Sequence, residues 1–179
     1  MDPIRKQYEK LGVEQFYTQH AADYANPHLP QITDLLQRNE ARIDFRQILD
    51  LSSGHGEVSA VVRQLGYTDF VGSDPFTWRQ YTEKTRAVCH KWSFEDIIRG
   101  QLKGQYSSVI CSFAMHLCPP KQLYPLVSRI FQHTDQLVII TPHKRPQLEK
   151  LDGVRLLFED FSLTLKGKKV RLKSYVRDS

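Results

Sequence analysis

No apolar run in this 179-residue sequence approaches the roughly 20 residues that cross a bilayer, so no membrane partner is expected. The opening Met1-Asp2-Pro3-Ile4-Arg5-Lys6 is polar and has no apolar core of the secretory-signal kind, which points to the cytoplasm. Cysteine is scarce. Cys89, Cys111 and Cys118 form an odd set without zinc-type pairing, and they read as reduced, partly buried thiols with no metal role. Internal repeats, low-complexity tracts and linkers are also missing. What is present is ordinary for a globular chain: 40% hydrophobic and 25% charged residues, with a net charge of +5. The expectation is a single domain over 1–179, with a helical N-terminal cover at 1–45 and a core at 46–179. The positive balance gives weak support for an anionic partner.

The core is organised around Gln47-Ile48-Leu49-Asp50-Leu51-Ser52-Ser53-Gly54-His55-Gly56-Glu57. Ile48, Leu49 and Leu51 suit a strand covered on both faces, as in a parallel sheet. Ser52, Ser53, Gly54 and Gly56 let the chain turn sharply and approach a ligand closely. Apolar spacing from Val58 to Leu65 predicts a helix whose free N–H groups face the turn. Phe70-Val71-Gly72-Ser73-Asp74 reads as the second strand. Its spacing from the loop places the Asp74 carboxylate where it can accept both hydroxyls of a ribose.

A helix over residues 4–16 is expected first, then an aromatic stretch with Tyr17, Tyr24, His20 and His28. That stretch reads either as a cover packed on the sheet or as a lid over a ligand. A second helix carries Ile32, Leu35 and Leu36. Beyond Asp74, a helix through Tyr81 and Thr85 leads to a short strand at residues 88–90. Trp92 to Asp96 then sits at a strand end, either as a wall for an adenine ring or as core packing. Residues 106–113 form the fourth strand, a helix through Leu126 and Ile130 follows, and residues 136–141 form the fifth. Strands alternating with helices argue for a parallel α/β sheet. The end of the chain departs from this pattern. Residues 161–165 and 170–176 alternate polar and apolar about the turn Lys166-Gly167-Lys168-Lys169, which predicts an antiparallel hairpin.

A glycine loop with a downstream acid fits either a dinucleotide or S-adenosylmethionine. Asp50 just before the loop suits the cationic amino-acid end of S-adenosylmethionine. Ser59 occupies the place of a third dinucleotide glycine, and the terminal hairpin is unusual for a dinucleotide sheet. On these residues the chain, over 40–179, resembles the class I S-adenosylmethionine-dependent methyltransferases. The resemblance implies a Rossmann-like, mostly parallel seven-stranded sheet with an antiparallel C-terminal hairpin strand and helices on both faces. It further implies a cofactor site at Asp50, Ser52, Ser53, Gly54, Gly56, Asp74, Pro75, Ser93, Phe94, Ser112 and Phe113. Ser52 stands where the family usually has its first glycine.

In such an enzyme the cofactor carries the hard chemistry and the protein places the nucleophile. His116, after the fourth strand, is the candidate catalytic residue, to orient the nucleophile or accept its proton; its bland reading is packing. Tyr17, Tyr24, His143 and Lys144 are candidates on the substrate side. With Lys166, Lys168 and Lys169 at the same sheet end by the family topology, a basic rim would suit an anionic small molecule or RNA. A charged, solvated hairpin tip is the plain reading. The chain is minimal enough that a partner subunit is conceivable. A non-catalytic scaffold that kept the fold and a nicotinamide-dependent oxidoreductase are the competing functions.

Overall fold

The computed structural model of the chain describes residues 26–178. The expected first helix, and the part of the aromatic cover that holds Tyr17, His20 and Tyr24, lie outside the described residues.

The apolar runs read from the sequence become the middle of one sheet. Its strands are β1 (Ile48–Leu51), β2 (Phe70–Ser73), β3 (Cys89–His90), β4 (Ser108–Ser112), β5 (Leu137–Thr141), β6 (Val154–Leu163) and β7 (Lys169–Arg177). Their spatial order is β3-β2-β1-β4-β5-β7-β6. The first five strands are parallel to one another, and β7 is antiparallel to both β5 and β6. The helices are α1 (Leu29–Arg38), α2 (Glu57–Gln64), α3 (Trp78–Thr85), α4 (Phe94–Ile98) and α5 (Pro120–Ile130).

Side chains of successive strand residues point to opposite faces, and here each face has its own core. Leu49, Leu51, Val109, Cys111, Leu137 and Ile139 pack with Ile97 of α4 and with Leu126, Val127 and Ile130 of α5. Ile48, Ile110, Val138 and Ile140 pack on the other side with Ile32, Leu35 and Leu36 of α1 and with Val58, Val61 and Val62 of α2. Each fully buried Leu or Ile in these layers contributes about 1.5–3 kcal/mol relative to exposure. The helices predicted from periodicity therefore form because their apolar faces have a sheet face to cover.

Two elements were not legible from the pattern. β6 starts at Val154 rather than near Phe161, because a bulge between Leu156 and Phe158 breaks the two-residue alternation. Residues 94–98 form a short helix rather than a strand end. Ser93 starts it with a reciprocal capping box: its hydroxyl accepts from the Asp96 N–H, and the Asp96 carboxylate accepts from the Ser93 N–H.

β6 is an edge strand. Its outward carbonyls at Phe161 and Leu163 are occupied by Arg38 and Gln31 of α1, and Ser162 donates to Asp34 at 2.7 Å. The β5–β7 register pairs Thr141 with Arg171, which sets the hairpin turn at the carboxyl end of the parallel strands.

Tyr81 of α3 lies flat over β2 with no solvent exposure. A Cβ on Gly72 would stand 2.6–2.8 Å from its ring carbons, closer than any real contact. Gly72→Ala is therefore expected to cost about 1–3 kcal/mol through overpacking, read as a lower denaturant midpoint. An unchanged midpoint would mean that the ring is not seated there.

Candidate active site

A cleft of about 250 Å³ opens at the carboxyl ends of β1, β2 and β4. This is where the strand order reverses between β1 and β4, the switch point at which open α/β sheets hold ligands. Nine of the expected cofactor residues line it: Ser52, Ser53, Gly54, Asp74, Pro75, Ser93, Phe94, Ser112 and Phe113.

The turn after β1 is held against β2. The Ser53 N–H donates to the Ser73 carbonyl at 3.0 Å, the Gly54 N–H donates to Asp74 Oδ2 at 3.2 Å, and Thr77 Oγ1 donates to the Gly54 carbonyl at 2.8 Å. Asp74 also accepts the Phe76 and Thr77 N–H groups on Oδ1, at 2.8 and 3.0 Å. An ionised carboxylate has about four acceptor positions, and three are taken by the backbone. About one acceptor position is left, on Oδ2. The carboxylate does remain at the cleft.

Two residues of the expected cofactor site lie outside the lining of the cleft. Asp50 does not line the cleft. It is fully buried beneath the turn, where Oδ2 accepts from the Ser59 hydroxyl at 2.7 Å and the Ser59 N–H at 3.2 Å. Burial pushes its carboxyl well above the usual carboxylate range, against the hydrogen bonds from Ser59, and Oδ1 has no partner. Gly56 does not line the cleft either. Its φ of 88° and its packing explain the glycine: an added Cβ would stand 2.6 Å from Thr85 Cγ2 and 3.1 Å from Tyr81.

The sequence reading also missed several wall residues: Asn26, Glu57, Phe76, Glu95, Ala114 and Leu117. Glu57 was detectable in principle, as the acid in the first turn of the helix after the glycine loop. Glu95 lies in the first turn of α4, a helix that the pattern did not show, and the others sit on turns and loops whose shape only the fold supplies.

Two wall residues carry backbone strain. Ser52 and Phe113, at the ends of β1 and β4, have φ of 52° and 57°, a left-handed region that disfavours side chains. The Phe113 ring stacks on His28 of the chain entering α1, with centroids 5.1 Å apart and planes 10° apart. His28 is the one member of the aromatic stretch's candidates that falls within the described residues.

His116, His143 and Lys144 do not line the cleft itself. His116 lies in the short turn Met115–Leu117 beside it, and its ring is 4.2 Å from that of His143. Burial first, then the neighbouring His143 and Arg145, lower the His116 pKa to about 4, so the ring is neutral near pH 7. Its Nδ1 is buried without a partner. His143, Lys144 and Arg145 are exposed on the loop after β5. Among the described residues no group of three or more His, Cys, Asp or Glu side chains is arranged to hold a metal ion. Burial pushes the Cys89 and Cys118 thiols up to about 12 and about 11, so both stay protonated.

Ser52→Gly is expected to relieve strain by more than glycine's added unfolded-state entropy costs, a net gain of about 1 kcal/mol in chemical denaturation. A loss of stability would show that Ser52 is not strained. The depressed His116 pKa has a signed consequence. The unfolded ring takes its proton near 6.5, the folded one near 4, so its contribution is complete above about pH 6.5 and is lost as pH falls toward 4. Stability of the natural chain should fall more steeply between pH 7 and pH 4.5 than that of His116→Asn. Parallel curves would contradict the assignment.

No protein-family model matches the chain. An uncharacterized protein of Schizosaccharomyces pombe is 26% identical, over 77% of this chain and 74% of its own length. Among solved structures, magnesium protoporphyrin IX methyltransferase from Synechocystis with bound S-adenosylmethionine is similar with a TM-score of 0.69 at 14% identity, over 99% of this chain and 98% of that one. The ribosomal protein L11 methylase of Lactobacillus delbrueckii subsp. bulgaricus reaches 0.62 at 13% identity, over 87% and 81% of the two chains. The glycopeptide N-methyltransferase MtfA, complexed with S-adenosylmethionine, reaches 0.62 at 11% identity, over 82% and 87%. With its strand order, its reversed last strand and its cleft at the switch point, this chain has the fold of the class I S-adenosylmethionine-dependent methyltransferases.

Proposed function

We propose that the cleft binds S-adenosylmethionine and that the chain transfers its methyl group to an anionic acceptor, a small molecule or an RNA. The observation that carries this reading is the pairing of the Gly54 turn with Asp74 at the switch point. A carboxylate with a free acceptor position beside a turn of small residues fits a ribose, and Phe76, Phe94 and Leu117 supply apolar wall for an adenine. Bound there, the cofactor would supply a methyl carried on a sulfonium, open to in-line attack by a nucleophile with the neutral thioether as the leaving group.

The chain's own residues would then divide the work. Asp74 orients the ribose. With Asp50 sealed beneath the turn, Glu57 is the acid beside the glycine loop that is open to the cofactor's ammonium. His116 is a poor base at a pKa of about 4. A buried nitrogen without a partner is least costly as a bare acceptor, which puts the ring proton on Nε2. The ring therefore orients an acceptor by donating to it rather than by taking its proton. Lys144 and Arg145, with Lys166, Lys168 and Lys169 at the same sheet end, give that end a positive field suited to an anionic acceptor.

Calorimetry separates the roles of the two acids. Glu57→Gln should weaken S-adenosylmethionine binding about tenfold, and Asp50→Asn should leave it within about threefold. The reverse order would restore Asp50 as the cofactor ligand, and no binding by the natural chain would overturn the proposal. Labelled-methyl transfer onto metabolite and RNA fractions then identifies the acceptor. Label only in neutral or cationic products would contradict the anionic class.

A further inference from the structure

The tip of the β6–β7 hairpin carries side chains that neither the cofactor nor a soluble anionic acceptor explains. Phe161 is 44% exposed, Leu163 54% and Leu165 107%, with Leu29 at the start of α1 exposed as well. Phe161, Leu163 and Leu165 alternate along the strand into the turn, so they leave it on one side. Lys166, Lys168 and Lys169 are exposed around them, and Lys169 Nζ sits 4.5 Å over the Phe161 ring.

We infer that this tip docks on an anionic lipid surface, with the leucines entering the headgroup–acyl boundary and the lysines meeting the headgroup charge. Three observations favour lipid over other occupants. Leucine and phenylalanine beside lysine is the composition of interfacial membrane contacts, whereas lysine is depleted at protein–protein interfaces. Leu165 is fully exposed at the apex of a tight turn, closed by the Gly167 N–H donating to the Thr164 carbonyl at 2.9 Å. A protruding apolar point suits a deformable surface better than a flat partner. The β6 edge carbonyls at Phe161 and Leu163 are already taken by Arg38 and Gln31, so a partner strand has no free ladder to extend there. RNA would be drawn to the lysines but would gain nothing from two exposed leucines.

The consequence for function is positional. The hairpin turn lies at the carboxyl end of the sheet, as does the cleft, so docking would bring the cleft close to the lipid surface. The inference does not depend on methyl transfer, and the two can fail separately.

The test is co-sedimentation of the full chain with vesicles of phosphatidylcholine alone and of phosphatidylcholine mixed with phosphatidylserine. Binding is expected only to the mixed vesicles and should weaken as salt rises. The pair Leu163→Ser with Leu165→Ser, and the pair Lys166→Glu with Lys168→Glu, should each reduce partitioning by about tenfold or more. Because these side chains are exposed, thermal midpoints should stay unchanged, which separates lost docking from lost folding. No sedimentation with anionic vesicles would overturn the inference, as would sedimentation that the leucine pair leaves intact. Binding to a single-stranded RNA homopolymer in place of vesicles, tolerant of the leucine changes, would assign the tip to nucleic acid. A concentration-dependent dimer that the leucine pair abolishes, without vesicle binding, would assign it to a second copy of the chain.

Discussion

The seating of one tyrosine ring on two glycines holds the cleft in shape. Tyr81 covers Gly72 of β2 and touches the position where Gly56 would carry a side chain. Its hydroxyl lies 2.8 Å from Ser59 Oγ, which in turn donates to the buried Asp50. Burial pushes the Tyr81 phenol far above its ordinary range, so it stays a neutral donor in this chain of hydrogen bonds. β1, the start of α2, β2 and α3 are thereby fastened at one point directly beneath the glycine turn. A low-dielectric network of this kind is rigid when its members are partnered, and costly where one is not, as at Asp50 Oδ1. The turn above it is thus presented to the cleft on a fixed base.

That arrangement explains what could be read from the residues and what could not. The strand–turn–helix unit around residue 54 was legible because three local signals coincide: an apolar run, small turn residues, and helical spacing beyond them. The two cores were legible for a similar reason, since strands buried on both faces read as near-continuous apolar runs in β1, β4 and β5, with Asp50 the polar interruption in β1. The terminal hairpin showed in its alternation, though the bulge after Leu156 hid the first half of β6. α4 was hidden because five residues are too few to show a period.

The site was legible at the turns and less so at the charges. Asp50 and Glu57 both flank the glycine turn in sequence, and an acid beside a cationic ligand suits either. Only the fold decides that Asp50 points under the turn to Ser59 while Glu57 lines the cleft. Gly56 was read as a ligand contact, yet its glycine answers to Tyr81 and Thr85 behind it. His116 illustrates the same limit, because its position after β4 was readable while its low proton affinity depends on burial and on His143 and Arg145. Sequence neighbours announce where a ligand can come; the third dimension assigns which polar group meets it.

The most direct test of the account is a crystal structure of the chain with S-adenosylhomocysteine. The ribose is expected on Asp74 Oδ2, the adenine against Phe76 and Phe94, and Asp50 still bonded to Ser59 out of reach. A ligand bound elsewhere, or an Asp50 carboxylate turned out to meet it, would contradict the account.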